Sequence, residues 1–184
     1  MARQEQRTAR KDYPESGIKK GDTYFYAQIK TGPRSSLKIR SKTRIPESRL
    51  TTSPFKSGWY AMQEAWDASD KDGDAIRAAA DAMRELGETA RESFDNMPES
   101  LQQSGTGQLL EARADGCEGK ADELDGLANE MDELTEPAEP LGDLETDEEN
   151  DEAQEEYDEA LSDYENEKER ISGEVDGILE DMPE

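Results

Sequence analysis

TYFYAQIKTGPRSSLKIRSK, residues 23–42, alternates twice around a turn. Successive side chains of an extended strand point to opposite faces, so Phe25, Ala27 and Ile29 share one side and Tyr24, Tyr26 and Gln28 the other. TGPRSS supplies the turn. After it, Leu37 and Ile39 continue the apolar side while Lys38, Arg40 and Lys42 continue the polar one. The stretch is expected to form a β-hairpin with an apolar face of Phe25, Ala27, Ile29, Leu37 and Ile39. Its other face would carry tyrosines and cations. A hairpin alone is marginal in water, so another element must cover the apolar face.

On the N-terminal side, residues 1–22 show no clear periodicity and contain Pro14, Gly17 and Gly21. They read as an arm and lead-in loop. On the C-terminal side, Ser53-Pro54 pairs a capping side chain with proline at the first helical position. Behind it come Phe55, Trp59, Tyr60, Met62 and Trp66, a set that contains both tryptophans of the chain. Packed on the hairpin, these aromatics would complete a basic ββα module over residues 1–67.

From Phe55 the apolar positions keep a 4, 3 spacing, through Trp59, Met62 and Trp66 and on to Ile76, Ala80, Met83, Gly87, Ala90, Phe94 and Met97. The Asp72-Gly73 pair inside DASDKDGD favours a break or kink, because glycine costs about 1 kcal/mol inside a helix. Met97-Pro98 ends the pattern and SGTG (104–107) reads as a turn. The same beat resumes at Leu110, Ala114, Cys117, Ala121, Leu124, Ala128 and Met131. Two seams rich in small residues favour close antiparallel packing, so residues 68–135 read as a helical hairpin. Residues 136–147 form an acidic linker punctuated by Pro137, Pro140 and Gly142. Residues 148–184 read as an amphipathic helix with Tyr157, Leu161, Tyr164, Lys168, Ile171, Val175, Ile178 and Met182 on its seam. The expected class is α+β and mostly α: a small basic hairpin-plus-helix module followed by antiparallel coiled-coil helices.

Charge divides the chain as sharply as periodicity does. Residues 1–60 hold fourteen Lys or Arg against five Asp or Glu, whereas residues 61–184 hold eight against forty-two, within a net charge of −25. No Lys or Arg stands between Lys120 and Lys168. Histidine is absent, which removes the usual acid–base catalyst near neutral pH and the commonest metal ligand. One cysteine permits neither an intrachain disulfide nor a cysteine zinc cage. There is no phosphate-cradling glycine motif, no apolar run of membrane-spanning length and no signal-peptide core, so a cytoplasmic protein without cofactor or metal is expected.

DASDKDGD (67–74) is a near miss for a calcium loop. With Gly73 at the sixth position, Ala68 and Ala79 occupy the first and twelfth, where carboxylates are required. A loop between helices with Asp74 as the cap is the better reading. The carboxylates from Glu136 to Glu165 read as a solvated linker and helix face, with imitation of nucleic-acid phosphates as the sharper alternative. Cys117 sits on a seam, and no histidine exists to activate it or any serine. The cationic hairpin remains. Tyr24, Tyr26, Lys30, Arg34, Lys38, Arg40, Lys42 and Arg44 would place aromatics beside cations, a surface suited to phosphates and stacked bases. Arg3, Arg7, Arg10 and Lys11 extend it along the arm.

Residues 10–55, RKDYPESGIKKGDTYFYAQIK…SLKIRSKTRIPESRLTTSPF, resemble an uncharacterised family of tailed-phage and prophage proteins. The shared pattern is a DYP–GIKKGD–Y block, a basic patch with SKT, a proline and an SRLT-like stretch before a helix. FDNMPESLQQSGTGQLLEARADGCEGKADEL (94–124) is similar to that family's helical part. Where the family carries Trp after the paired aromatics, this chain has Ala27 and Gln28. The resemblance implies a phage setting, with the host cytoplasm as compartment, and brings no activity. The expected function is a non-catalytic interaction protein. Helical seams would assemble it with itself or with a helical partner, and the hairpin would meet nucleic acid or another acidic partner. The rivals are a scaffolding oligomer whose basic module docks on its own acidic helices, and an acidic mimic that inhibits a host protein.

Overall fold

The alternation over 23–42 becomes two strands of a three-stranded antiparallel sheet, β1 (Gln4–Thr8), β2 (Thr23–Lys30) and β3 (Ser36–Ser41), in the order β1-β2-β3. This is a computed structural model that describes residues 2–140 and 147–183. The chain is α+β and mostly helical, and it divides into two units, Met1–Ala65 and Trp66–Glu184.

The first correction concerns the N-terminus. Residues 4–8, expected to be part of an arm, pair with β2 in the register Gln4↔Ala27 to Thr8↔Thr23. QEQRT carries no apolar alternation because β1 is an edge strand held by ladder hydrogen bonds and by polar side chains. The Gln4 amide, for example, donates to the Ile45 carbonyl at 3.2 Å and accepts from the Ile45 N–H at 3.0 Å. The apolar face of the sheet contains the expected Ala27, Ile29 and Ile39, buried, and Phe25, half-buried. Its cover also differs from expectation. Ile45, Leu50 and Ala2 close this cluster, not the aromatics of the following helix. Leu37 is 53% exposed. It sits opposite Ile29, beyond the reach of β1, where the hairpin tip is only two strands wide.

Helix α1 (Pro54–Asp67) starts at the expected cap, with the Ser53 hydroxyl accepting from the Lys56 N–H at 3.4 Å. Polar bonds tie it to the segment after the sheet. Ser57 Oγ donates to the Ser48 carbonyl (2.7 Å), and Ser48 Oγ donates to the Glu64 carboxylate (2.7 Å). Trp59 and Met62 are buried.

In the second unit the expected break is real. Lys71 takes a left-handed conformation (φ 52°), and α2 (Gly73–Asp95) begins with Asp72, not Asp74, accepting from the Ala75 N–H at 2.8 Å. The cap falls one residue before the first helical residue, where the backbone is still extended. After α2, residues 99–102 form a short helix, α3 (Glu99–Gln102), that the sequence pattern did not reveal. SGTG then opens α4 (Gly105–Glu133) instead of making a free turn. Ser104 is its cap, and Gly107 lies so close to the Gln102 carbonyl that a Cβ would stand 2.0 Å from it.

The seams are where the spacing puts them. Ile76, Ala80, Met83, Gly87 and Ala90 of α2 are buried, as are Ala114, Cys117, Ala121, Leu124, Ala128 and Met131 of α4. Phe94 and Met97 are half-buried. A Cβ on Gly87 would stand 3.0 Å from the Cys117 Cβ and 3.3 Å from the Ala114 carbonyl, so this is where the two backbones approach. Along one flank the arginines of α2 recur every seven residues and meet carboxylates of α4 in descending order. Arg77 pairs with Asp132, Arg84 with Asp125 and Asp122, and Arg91 with Asp115 and Glu118. Half-exposed pairs add little stability. Their repeat nevertheless fixes an antiparallel register, as flanking charges do in coiled coils.

Helix α5 (Asp147–Glu180) lies back against α4 in the same antiparallel sense. Arg170 reaches Glu130 and Lys120 reaches Asp181, both at 2.8 Å, with Ile171, Val175 and Leu179 buried between. Leu179 is the more buried residue at the turn where the 4, 3 spacing named Ile178, because a straight helix drifts against a strict seven-residue repeat. Leu127 joins the seam of α4 for a related reason: α4 has neighbours on two sides, so its buried stripe is wide. Trp66, buried, donates its indole N–H to Asp176 Oδ1 (2.5 Å), and the Lys71 ammonium lies 3.3 Å from the same carboxylate. Of the expected linker, residues 141–146 lie outside the described residues.

Replacing Gly87 by leucine forces a side chain into the closest backbone approach. The Gly87→Leu chain is expected to lose about 1–3 kcal/mol in denaturant unfolding of the helical unit. Unchanged stability would mean that the helices do not meet there.

Candidate nucleic-acid interface

The register places Arg7 of β1, Tyr24 and Tyr26 of β2, and Arg40 and Lys38 of β3 on the face opposite Phe25, Ala27 and Ile29. This face is not open as expected. The segment between β1 and β2 folds over it, held by Ala9 N–H to the Asp22 carbonyl and Gly21 N–H to the Ala9 carbonyl, each 2.8 Å. Gly17 (φ 63°) and Gly21 (φ 96°) supply the two left-handed turns that this strap needs. Ile18, Ala9 and half-buried Tyr13 then close on Tyr24 and Tyr26, which are 5% and 9% exposed.

The two tyrosines are therefore core residues, and base stacking on them is corrected to a structural role. The Tyr26 hydroxyl donates to Gln28 Oε1 at 3.1 Å, satisfying its polar end. Its ring holds cations instead of bases. The Arg7 guanidinium lies 4.0 Å from the Tyr26 ring centre, and Arg40 lies 4.4 Å from Tyr13 and 5.9 Å from Tyr26. Lys11 lies 5.7 Å from Tyr13. Each ring face attracts a cation through its quadrupole, and each cation shields the ring from water. Tyr24 titrates above the usual phenol range, first because of burial and then because of the neighbouring Tyr13 hydroxyl. It stays a neutral donor at physiological pH.

The exposed members of the predicted set are Lys30, Arg34, Lys38, Lys42 and Arg44, with Arg40 half-buried. Lys38 and Arg40 stand on β3, Lys30 ends β2, Arg34 belongs to the turn, and Lys42 and Arg44 follow β3. Carboxylates of the same unit are turned to other partners. Asp12 accepts from the Lys20 N–H and Asp22 from the Lys19 N–H, Glu64 holds Ser48, and Glu5 accepts from Nε and Nη2 of Arg7. Among the described residues, Arg7–Glu5 is the one ion pair of the sheet unit, whereas the arginines at 77, 84, 91 and 170 are all paired within the helical unit. Tyr13 escaped the sequence reading. Its only signal was an aromatic residue just ahead of Pro14, inside a segment with two glycines.

Two other candidates resolve differently. The described residues hold no group of ligands fit for a metal ion, and Asp72 of DASDKDGD is used as a helix cap. Cys117 is fully buried between helices, and burial pushes its thiol from about 9 up to about 11.

Two predictions follow from these placements. Tyr26→Ala should cost the sheet unit about 3 kcal/mol in urea unfolding, while Lys38→Ala should change it by no more than about 0.5 kcal/mol. Equal effects would contradict the core assignment. For Cys117, the folded state holds the proton more tightly than the unfolded chain does. The thiol's contribution is thus present below pH 9 and lost as pH rises toward 11. The Cys117→Ala chain should show a flatter stability profile across that window, and an unchanged profile would show the thiol to be solvent-accessible.

No protein-family model, no curated protein and no solved structure matches this chain.

Proposed function

We propose that this chain is a non-catalytic interaction protein whose sheet unit grips the phosphate backbone of nucleic acid, while its helical unit serves as a carrier and assembly element in a phage setting. One observation carries the reading. The helical unit pairs Arg77, Arg84, Arg91 and Arg170 with its own carboxylates, whereas among the described residues Arg7 is the one cation of the sheet unit held in an ion pair. Unneutralised cations gathered on one small unit favour a polyanion, and release of its counterions drives such binding.

Burial of Tyr24 and Tyr26 narrows the mode of contact. With no exposed ring of the predicted set to take a base, recognition falls to phosphates, which position a strand without reading its sequence. The surface is then indifferent to base composition. The absence of histidine and the buried, proton-holding Cys117 support the non-catalytic part of this reading.

The test is binding of labelled single- and double-stranded DNA and RNA to the full chain across a salt series. Affinity should fall steeply with salt and vary little with base sequence. Removing one phosphate-contacting cation, as in Lys42→Ala, should lower the log–log salt slope by about 1. Lack of binding at low salt, or binding that follows base sequence, would refute the reading.

A further inference from the structure

Beside the cation–ring layer lies an open pocket lined by Arg7, Thr8, Arg10, Tyr13 and Tyr24, of about 620 Å³. Every lining side chain can donate a hydrogen bond, and none is a carboxylate. We propose that this pocket seats a phosphate group, held by the Arg7 and Arg10 guanidiniums and by the hydroxyls of Tyr13 and Tyr24.

Three features make the pocket more than a basic surface. Arg7 is held in place from two sides, by Glu5 at 2.8 and 3.1 Å and by the Tyr26 ring beneath it, so its remaining donors are aimed before any ligand arrives. Rigid, planar guanidinium donors match phosphate oxygens better than mobile ammonium groups do. Arg10 is exposed and has no carboxylate partner among the described residues, so its charge is uncommitted. Tyr24 lines the pocket with its hydroxyl beside that of Tyr13, and the phenol stays neutral. The chain geometry is equally firm. Arg7 and Thr8 end β1, Arg10 follows on the strap, and Tyr13 is pinned by reciprocal bonds with Ile18, its N–H to the Ile18 carbonyl at 2.7 Å and the return bond at 3.2 Å.

A phosphate in this seat has two possible sources: one group of a bound nucleic-acid strand, or a small phosphate ester. The first source rests on the function proposed above, and the pocket itself does not. The volume lies within the range of small-ligand sites, roughly 300–1,000 Å³, so it admits the sugar or base next to the phosphate as well.

The experiment titrates the full chain with inorganic phosphate, against chloride at matched ionic strength, while recording the NMR signals of the Arg7 and Arg10 side chains. The same protein is then tested against a labelled short oligonucleotide. Phosphate should shift both arginines, and chloride should not. Arg10→Ala, at an exposed position, should abolish the phosphate response. Arg10→Ala should also weaken the oligonucleotide about tenfold or more, the scale of a lost charge-assisted bond. Lys38, outside the pocket, serves as control: Lys38→Ala should leave the phosphate response intact. If phosphate moves the pocket no more than chloride does, the seat is overturned even where the oligonucleotide binds. If phosphate fills the pocket and no oligonucleotide binds, the seat stands, its source is a small phosphate ester, and the nucleic-acid reading fails.

Discussion

A small, strongly cationic unit cannot gather enough aliphatic surface to close both faces of a sheet, and that constraint shapes everything N-terminal to the helices. One face is closed conventionally, by Ile45, Leu50 and Ala2 over Ala27, Ile29 and Ile39. The other is closed by tyrosine rings whose outer sides are covered by Arg7, Arg40 and Lys11. Charge is thereby made part of the core's roof. The cations are not merely tolerated on this face. They replace the apolar residues that a chain of this composition lacks, and in doing so they are fixed at defined positions.

The helical unit solves the opposite problem. Its carboxylates far outnumber its cations, and Arg77, Arg84, Arg91 and Arg170 are spent along the flank between α2 and α4 or at the meeting of α4 and α5. Arg170 alone gathers Glu130, Glu167 and Glu174. The seam itself carries alanine, glycine and cysteine at its centre, which brings the backbones close and leaves no room for a wrong register. Packing and charge specify the same alignment, and such agreement between levels is what makes a fold unique.

Most of this fold was legible in the sequence because periodicity reports burial directly. The two strands of 23–42, the cap at Ser53, the break at Asp72-Gly73 and the seams of α2 and α4 all announce themselves through which residue types recur at which interval. Three features of the sheet unit did not. β1 is polar because its partner supplies the hydrogen bonds and no second layer covers it. The cover over the sheet comes from Ile45 and Leu50, isolated apolar residues in a segment without period. The burial of Tyr24 and Tyr26 depends on a strap whose fold is set by Gly17 and Gly21, and nothing in an alternating strand says which of its faces a distant loop will cross. Of the residues expected at the site, Lys30, Arg34, Lys38, Lys42 and Arg44 are exposed, whereas Tyr24 and Tyr26 are buried.

The seven-residue recurrence shared by the seams and by Arg77, Arg84 and Arg91 has a consequence for how this protein can vary. A hairpin whose core contacts and flanking charges repeat with one period can be shortened or extended by matched blocks, seven residues out of α2 and seven out of α4, with each surviving arginine still facing a carboxylate. Any other increment rotates the charged flank away from its partners and turns the small residues out of the seam. Length is thus a quantised property of this hairpin, free to change in whole seven-residue units while the turn at α3 and the sheet unit stay as they are.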